Sequence, residues 1–376
     1  MLQISLIILV AYVLLILSFY IGFNKVPECS LSDAPPKHRF SVLIPFRNEV
    51  TRLPVLLSSI AELNYPCSHF EILFINDGST DNSVALIEDI LKAKCPELNY
   101  RVLHNIVKSN APKKDAIRLG VSAAKHPFIV TTDADVQLPK YWLDSFNEFI
   151  DTCDPYLVVG PVRLSGNSRF IERFQVLDFY SLQGSTIGSF GMGRPFMCNG
   201  ANLCYSKSVF DELRPYKTND QVASGDDVFL LEAFLKHHKT KVHYLKCPFS
   251  VVETEAVHSW SALVAQRQRW ASKSKKYSLF FGKLVAALVL LMNLWLALAP
   301  LFIIFGKMTL KQVVLILIVK ALTDFLLLFK TLRFFDAVDS LVSFISSSLF
   351  YPFFVCYIGL ISIFKIYQWK GRHFKT

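Results

Sequence analysis

The sequence predicts an α/β domain built on a largely parallel sheet, carried by apolar helices long enough to cross a bilayer. Three observations lead there. Between about residues 24 and 283, short apolar strands alternate with amphipathic helices, the pattern of crossover units and a parallel sheet. Four long runs outside that region are uncharged or nearly so. The 376 residues are 52% hydrophobic and only 19% charged, with a mean hydropathy of +0.36. That charge content is below the roughly 25% of a soluble domain, which excludes a disordered chain, a coiled coil and a purely soluble globule.

The first run, Leu2 to Phe23, matches the ~20 helical residues that span a hydrocarbon core. No basic segment precedes it and no small-residue cleavage site follows, so it reads as a span and not a signal peptide. The first basic residues, Lys25, Lys37 and Arg39, come after it. By the positive-inside rule the N-terminus lies outside and the following segment is cytoplasmic. Leu284 to Gly306, Gln312 to Phe329 and Leu341 to Phe364 are the other three runs. Lys320 and Asp324 interrupt the third. Four apart, they share a helix face and can pair. An intramembrane ion raises a functional role, against a structural pair facing the bundle. Four spans put both termini on one side, yet the tail carries Lys365, Lys370, Arg372 and Lys375, which favour the cytoplasm. Either one C-terminal run is re-entrant or the count differs by one.

In the central domain the expected strands are Phe40–Pro45, Phe70–Asn76, Tyr100–Asn105 and Pro127–Thr132. The expected helices are Glu49–Leu63, one starting at the N-cap candidates Asp81 or Asn82 and running to Lys94, and Lys113–Lys125. Ligands of such sheets bind beyond the carboxyl ends of the strands. Those ends carry PFRNE (Pro45–Glu49), NDGSTD (Asn76–Asp81) and TTDADV with Asp133 and Asp135. Two carboxylates straight after a strand can hold Mg2+ or Mn2+ against a diphosphate. Alternatively, Asp133 and Asp135 cap the next helix. The eight cysteines form no CxxC pair and no Cys/His cluster, so neither a zinc site nor a disulfide framework is supported, and reduced thiols fit a cytosol-facing protein.

Six segments, taken in order, carry a resemblance: SVLIPFRNE, EILFINDGSTDNS, KKDAI followed by IVTTDADV, CNGANLCYS, SGDDVFLL and QRQRW. The stretch from about Ser41 to Trp270 resembles the family-2 inverting glycosyltransferases with a GT-A fold, a Rossmann-like nucleotide-sugar-binding domain. QRQRW looks like the Q-x-x-R-W signature of the membrane-embedded members, which include ceramide glucosyltransferase and processive polysaccharide synthases.

The resemblance implies roles at matching positions. Asp77 reads the nucleotide base, where otherwise it is a turn residue of a DG pair. Lys113 or Lys114 lies near the donor, or else at a solvated helix start. Asp133 and Asp135 hold the metal, Mg2+ or Mn2+, with Asp133 also on the donor side. Asn199, Gly200, Ala201 and Asn202 line the sugar and acceptor pocket, or simply form a tight turn. Asp227 is the general base beside Asp226, where many members have Glu. Gln266, Arg269 and Trp270 serve the acceptor, the donor diphosphate and the acceptor respectively. Arg267, Arg269, Lys273, Lys275 and Lys276 otherwise read as a juxtamembrane anchor on a helix within Val257–Tyr277 lying at the cytoplasmic surface.

The implied organisation is a membrane helix at 1–24, a cytoplasmic transferase domain at 25–255, an interfacial helix at 256–283 and C-terminal spans at 284–376. The implied activity is transfer of a sugar from a UDP-sugar to a lipid or glycan acceptor by a multi-pass membrane protein among membrane lipids. One alternative is a processive synthase coupled to export, for which four spans are few unless the chain oligomerises or has a partner subunit. Another is a membrane scaffold or transporter with a degenerate transferase domain. The net charge of +10 gathers near membrane ends, and no basic, aromatic-lined face suggests nucleic acid.

Overall fold

The computed structural model describes residues 1–376 except 167, 218, 223, 274–276, 365–366, 370–371 and 375–376. Lys275, Lys276, Lys365, Lys370 and Lys375, to which the sequence assigns a basic anchor and tail, lie outside the described residues.

Helix α1 is Leu2–Lys25. The α/β domain then runs β1 (Phe40–Phe46), α2 (Leu53–Ala61), β2 (Phe70–Asn76), α3 (Ser83–Lys94), β3 (Asn99–His104), α4 (Pro112–Ala123) and β4 (Phe128–Thr131). It continues through β5 (Val136–Gln137), α5 (Trp142–Cys153), β6 (Leu157–Val159), β7 (Val162–Ser165), α6 (Phe170–Gly191), β8 (Leu203–Ser206), α7 (Lys207–Leu213), α8 (Asp226–His238), β9 (Val242–Tyr244) and β10 (Val252–Glu255). Helices α9 (Trp260–Lys273), α10 (Phe280–Ile304), α11 (Leu310–Phe334) and α12 (Phe344–Phe364) follow, then the short strands β11 (Tyr367–Trp369) and β12 (Arg372–Phe374). Each of the seven elements expected between residues 40 and 132 forms, with ends shifted by a few residues. At the start of α3, Asn82 is the N-cap but its side chain makes no capping bond. Asp81 instead accepts the Ser83 and Val50 N–H groups.

The main sheet has the order β3-β2-β1-β4-β8-β6-β9. Strands β1, β2, β3 and β4 are parallel, while β8 runs antiparallel to β4 and β6. β1 and β2 are almost wholly buried, as sheet strands covered on both faces must be, which explains their unbroken apolar runs. The chain steps outward from β1 through β2 to β3, then returns to place β4 on the other side of β1. That reversal opens a crevice beyond the carboxyl ends of β1 and β4, where open α/β sheets bind ligands. A small sheet, β5-β10-β7, sits beside it.

Among the described residues four helical stretches, Leu2–Lys25, Phe280–Ile304, Leu310–Phe334 and Val338–Ile363, are long and apolar enough to cross a membrane. They agree in number with the four runs read from the sequence. Helix α6 ties them to the α/β domain by close packing. A Cβ on Gly188 would sit 2.4 Å from the Phe19 carbonyl oxygen of α1, and one on Gly184 would sit 2.4 Å from Thr331 Oγ1 of α11. Small residues permit this approach.

Helix α12 does not simply run away from the domain. The turn before it, Val338–Ser343, packs on α6, where Arg173 Nε donates to Ser343 Oγ at 2.7 Å. Its Phe350 and Phe354 rings lie 5.3 and 5.0 Å from Phe174 of α6. Ile358 and Ile361 share a cluster with Leu263 of α9, and β11 also packs on α9. The chain therefore enters and leaves α12 beside α6 and α9.

The α1–α6 crossing yields a stability prediction. Gly188→Val should force the two backbones apart and cost about 1–3 kcal/mol. A lowered thermal unfolding midpoint of the purified chain is expected; an unchanged midpoint would contradict this packing.

Candidate active site

The loops after β1, β2, β3 and β4 build one wall of the site. The N–H of Asp77 donates to the Phe46 carbonyl at 2.9 Å, and Gly78 takes φ +72, the left-handed turn that glycine permits. Asn105, directly after β3, donates through Nδ2 to Asp77 Oδ1 at 2.9 Å. Arg47 Nη1 donates to the Asp77 carbonyl at 2.7 Å. Asp77 is thereby buried and oriented, with its side chain on the crevice.

At the start of α4 the two lysine candidates part company. Lys113 Nζ lies 2.8 Å from Asp133 Oδ1 and 3.2 Å from Asp226 Oδ2. Burial works against its ammonium, but the Asp133 and Asp226 carboxylates outweigh that and raise its pKa above the ordinary lysine value. Lys114 turns the other way. It is fully buried, donates to the Asn219 carbonyl at 2.7 Å and lies 4.3 Å from the Phe229 ring centre. Only Lys113 lines the crevice.

Asp133 and Asp135 follow β4 and face the same space. They are not helix caps, because the next helix, α5, begins after Tyr141. Arg52 Nη1 holds Asp135 Oδ2 at 2.8 Å. Asp226 and Asp227 open the first turn of α8, after Gly225 at φ +86. Free N–H groups at a helix start favour such negative charge. Asp227 Oδ1 accepts the Val228 N–H at 2.8 Å. A Cβ on Gly200 would lie 3.3 Å from Asp226 Oδ2 and 3.6 Å from Lys113 Nζ, so this glycine presses directly on the charged pair.

Asn199, Gly200 and Ala201 line the crevice; Asn202 does not. It is fully buried, donates to the Pro161 and Ser250 carbonyls at 2.8 Å each, and accepts the Trp142 indole N–H at 2.9 Å. The structure gives it a framework position, because all three bonds use up its amide.

Helix α9 closes the opposite wall with Gln266, Arg269 and Trp270. Arg267 is not a head-group cation. It is buried, its Nε is 2.6 Å from Asp178 Oδ2 of α6, and its guanidinium lies 4.2 Å above the Trp270 ring. These walls enclose one cavity of about 860 Å³, which runs from Asp77 and Asp133 past Trp270 to Tyr12, Lys320 and Asp324 among the apolar helices.

Among the described residues no group of three His, Cys, Asp or Glu could hold a metal alone. Asp133 and Asp135 offer hard oxygen ligands on the cavity wall, each set against a cation. That set suits Mg2+ or Mn2+ when diphosphate oxygens complete the shell, the usual arrangement for small divalent ions at phosphates.

A family model described as glycosyl transferase family 2 matches residues 41–214, and one described as glycosyl transferase family group 2 matches residues 128–365. The chain belongs to the family-2 glycosyl transferases. The poly-beta-1,6-N-acetyl-D-glucosamine synthase of Staphylococcus epidermidis is 24% identical to the transferase over 241 residues, covering 61% of this chain and 53% of that protein. Its Staphylococcus aureus counterpart is 24% identical over 257 residues, covering 66% and 57%. The chain thus spans about half the length of these curated relatives. The solved mannosyltransferase PcManGT from Pyrobaculum calidifontis, in complex with GDP-Man and Mn2+, matches with a TM-score of 0.56 and 16% identity over 93% of this chain and 98% of its own. That likeness shows a shared GT-A-like fold.

Several residues of the transferase's cavity escaped the sequence reading. Arg47 lies within the strand-end segment PFRNE, which marks the place but not the residue, and Asn105, directly after β3, acts on the site by orienting Asp77 without lining the cavity. Arg52, Asp178 and Arg267 carry no such local signal, because their partners lie 83 and 89 positions away.

Proposed function

We propose that the chain is a membrane-bound inverting hexosyltransferase that moves a sugar from a UDP-sugar to the hydroxyl of a lipid or glycan acceptor. The observation that carries this reading is the single cavity joining the Asp77–Asp133 wall to the interior of the apolar helices. A nucleotide donor and a membrane-borne acceptor can meet in it without either leaving its own phase.

In this reading Asp77 accepts the N3–H of uracil, and Asn105 keeps its carboxylate turned to that task. Lys113 and Arg269 face the diphosphate. Asp133 and Asp135 would hold Mg2+ or Mn2+, which when bound neutralises charge on the departing diphosphate. Asp227 takes the proton of the acceptor hydroxyl. The hydroxyl oxygen bonds to the anomeric carbon from the side opposite the diphosphate, and the broken C–O bond's electron pair leaves with the UDP. One displacement inverts the configuration and needs one base, worth typically 10²–10⁴ in rate. Asp226 holds Lys113 beside it. Asn199, Gly200 and Ala201 shape the sugar pocket, and Gln266 and Trp270 border the acceptor.

A processive synthase is the second reading, favoured by the names of the Staphylococcus relatives. A scaffold with a degenerate domain would have no use for the Lys113, Asp133 and Asp226 cluster. The α/β domain, 25–255, and the α9 region, 256–283, face the cytoplasm on this proposal, with 1–24 and 284–376 in the membrane.

Three measurements test the proposal. Asp227→Asn keeps size and removes the proton acceptor, so UDP release should fall by ~10²-fold or more with donor binding retained; unchanged turnover would reject the role. Chelation with EDTA should abolish UDP release, and added Mn2+ or Mg2+ should restore it; full activity after chelation removes the metal from the scheme. Cys67 is exposed on the α/β domain, so a membrane-impermeant thiol reagent should label it only after the cells are opened; labelling on intact cells reverses the orientation.

A further inference from the structure

The cavity continues beyond the groups that the transfer reaction uses. Past Trp270 it passes between α6, α11 and α12, where a seam of polar side chains interrupts an otherwise apolar lining. Arg267 pairs with Asp178 at 2.6 Å, and Lys320 pairs with Asp324 at 2.8 Å. Tyr12 of α1 donates its hydroxyl to Asp324 Oδ1 at 2.7 Å. Tyr351 of α12 bridges the two pairs. It lies beside Asp178, and the Lys320 ammonium is 5.5 Å from its ring centre.

Two polar atoms of this seam have no partner. Arg267 Nη2 and Ser347 Oγ are buried without a hydrogen bond among the described residues. Their residues are only 6% exposed each and both line the cavity. A buried donor left unmade costs the desolvation of that group, so such atoms mark where a ligand atom belongs.

We propose that this end of the cavity is an acceptor subsite that takes a neutral, hydroxyl-bearing group and disfavours a phosphate. Naming the occupant an acceptor rests on the transferase reading above; the chemistry of the subsite does not. The charges facing it are Asp178 from α6, Arg267 from α9, and Lys320 and Asp324 from α11, with only phenols from α1 and α12. They cancel in pairs, so a phosphate entering here finds no uncompensated cation to offset its dehydration. A hydroxyl group suits both vacant atoms. A hydroxyl oxygen can accept from Arg267 Nη2, and the Ser347 hydroxyl can donate to a hydroxyl or accept from one. The hydroxyls can come from a lipid head group or from a free saccharide.

The test uses the full chain in phosphatidylcholine nanodiscs without donor. Glycerol monooleate, oleyl phosphate and free chitobiose are titrated separately while tryptophan fluorescence is read. Saturable binding of glycerol monooleate, with none by oleyl phosphate over the same range, supports a lipid-borne hydroxyl group. Saturation by chitobiose alone supports the same chemistry from a free glycan. Saturation by oleyl phosphate at an equal or lower concentration overturns the proposal, as does saturation by none of the three. Ser347→Ala should weaken the hydroxyl probe about fivefold and Arg267→Lys about tenfold or more, the range expected for one neutral and one charged hydrogen bond; wild-type binding in both overturns it. Asp324→Asn leaves Lys320 without its carboxylate and should create saturable oleyl phosphate binding, a gain that misfolding cannot mimic; no gain counts against the charge-balance argument. UDP titration on the same samples reports the donor end separately. Loss of UDP binding by the wild-type chain would sink the transferase reading while leaving the subsite result standing.

Discussion

Lys113 is the point on which the site turns. Its ammonium lies between the Asp133 carboxylate at the end of β4 and the Asp226 carboxylate at the start of α8, at 2.8 and 3.2 Å. Those two carboxylates come from parts of the chain more than ninety residues apart and would repel each other across a cation-free gap. With the lysine between them, Asp133, Asp226 and the adjoining Asp227 share one wall of the cavity. Gly200 has no side chain to intrude there, which lets the turn before β8 close against the pair.

The same logic of compensated charge extends into the helices. Arg267 and Lys320 would each be costly alone in an apolar setting, and each has a carboxylate within hydrogen-bonding distance. These pairs bind α6 to α9 and tie α11, through Asp324, to Tyr12 of α1. Glycines on α6 bring the backbones close enough for such contacts to form. The result is an α/β domain and a helix bundle that share one continuous core and one cavity.

Much of this was legible in the chain. The parallel strands announce themselves as apolar runs because both faces of the sheet are covered. Asp77, Asp133 and Asp135 could be found because strand ends are the places where this fold exposes polar groups, whereas Asp226 and Asp227 were marked by the family resemblance. The choice between Lys113 and Lys114 could not be made that way. Adjacent helix residues point about 100° apart, and only the positions of β4 and α8 determine which one meets a carboxylate. Asn202 misled for a related reason. It sits in a motif that lines the cavity, but its amide is consumed by Trp142, Pro161 and Ser250, brought together by packing.

By itself the sequence determined the α/β class, the four apolar helices, the family resemblance and the order of the acidic motifs, because each depends on local periodicity or on short runs of residues. Tertiary structure alone decided which lysine serves the site, that Arg267 is a buried ion-pair partner and not a surface anchor, and that Lys320 and Asp324 line a cavity continuous with the acidic wall. The first depends on where β4 and α8 come to lie and the others on how α6, α9, α11 and α12 pack, contacts between parts far apart in the chain that leave no mark on local composition.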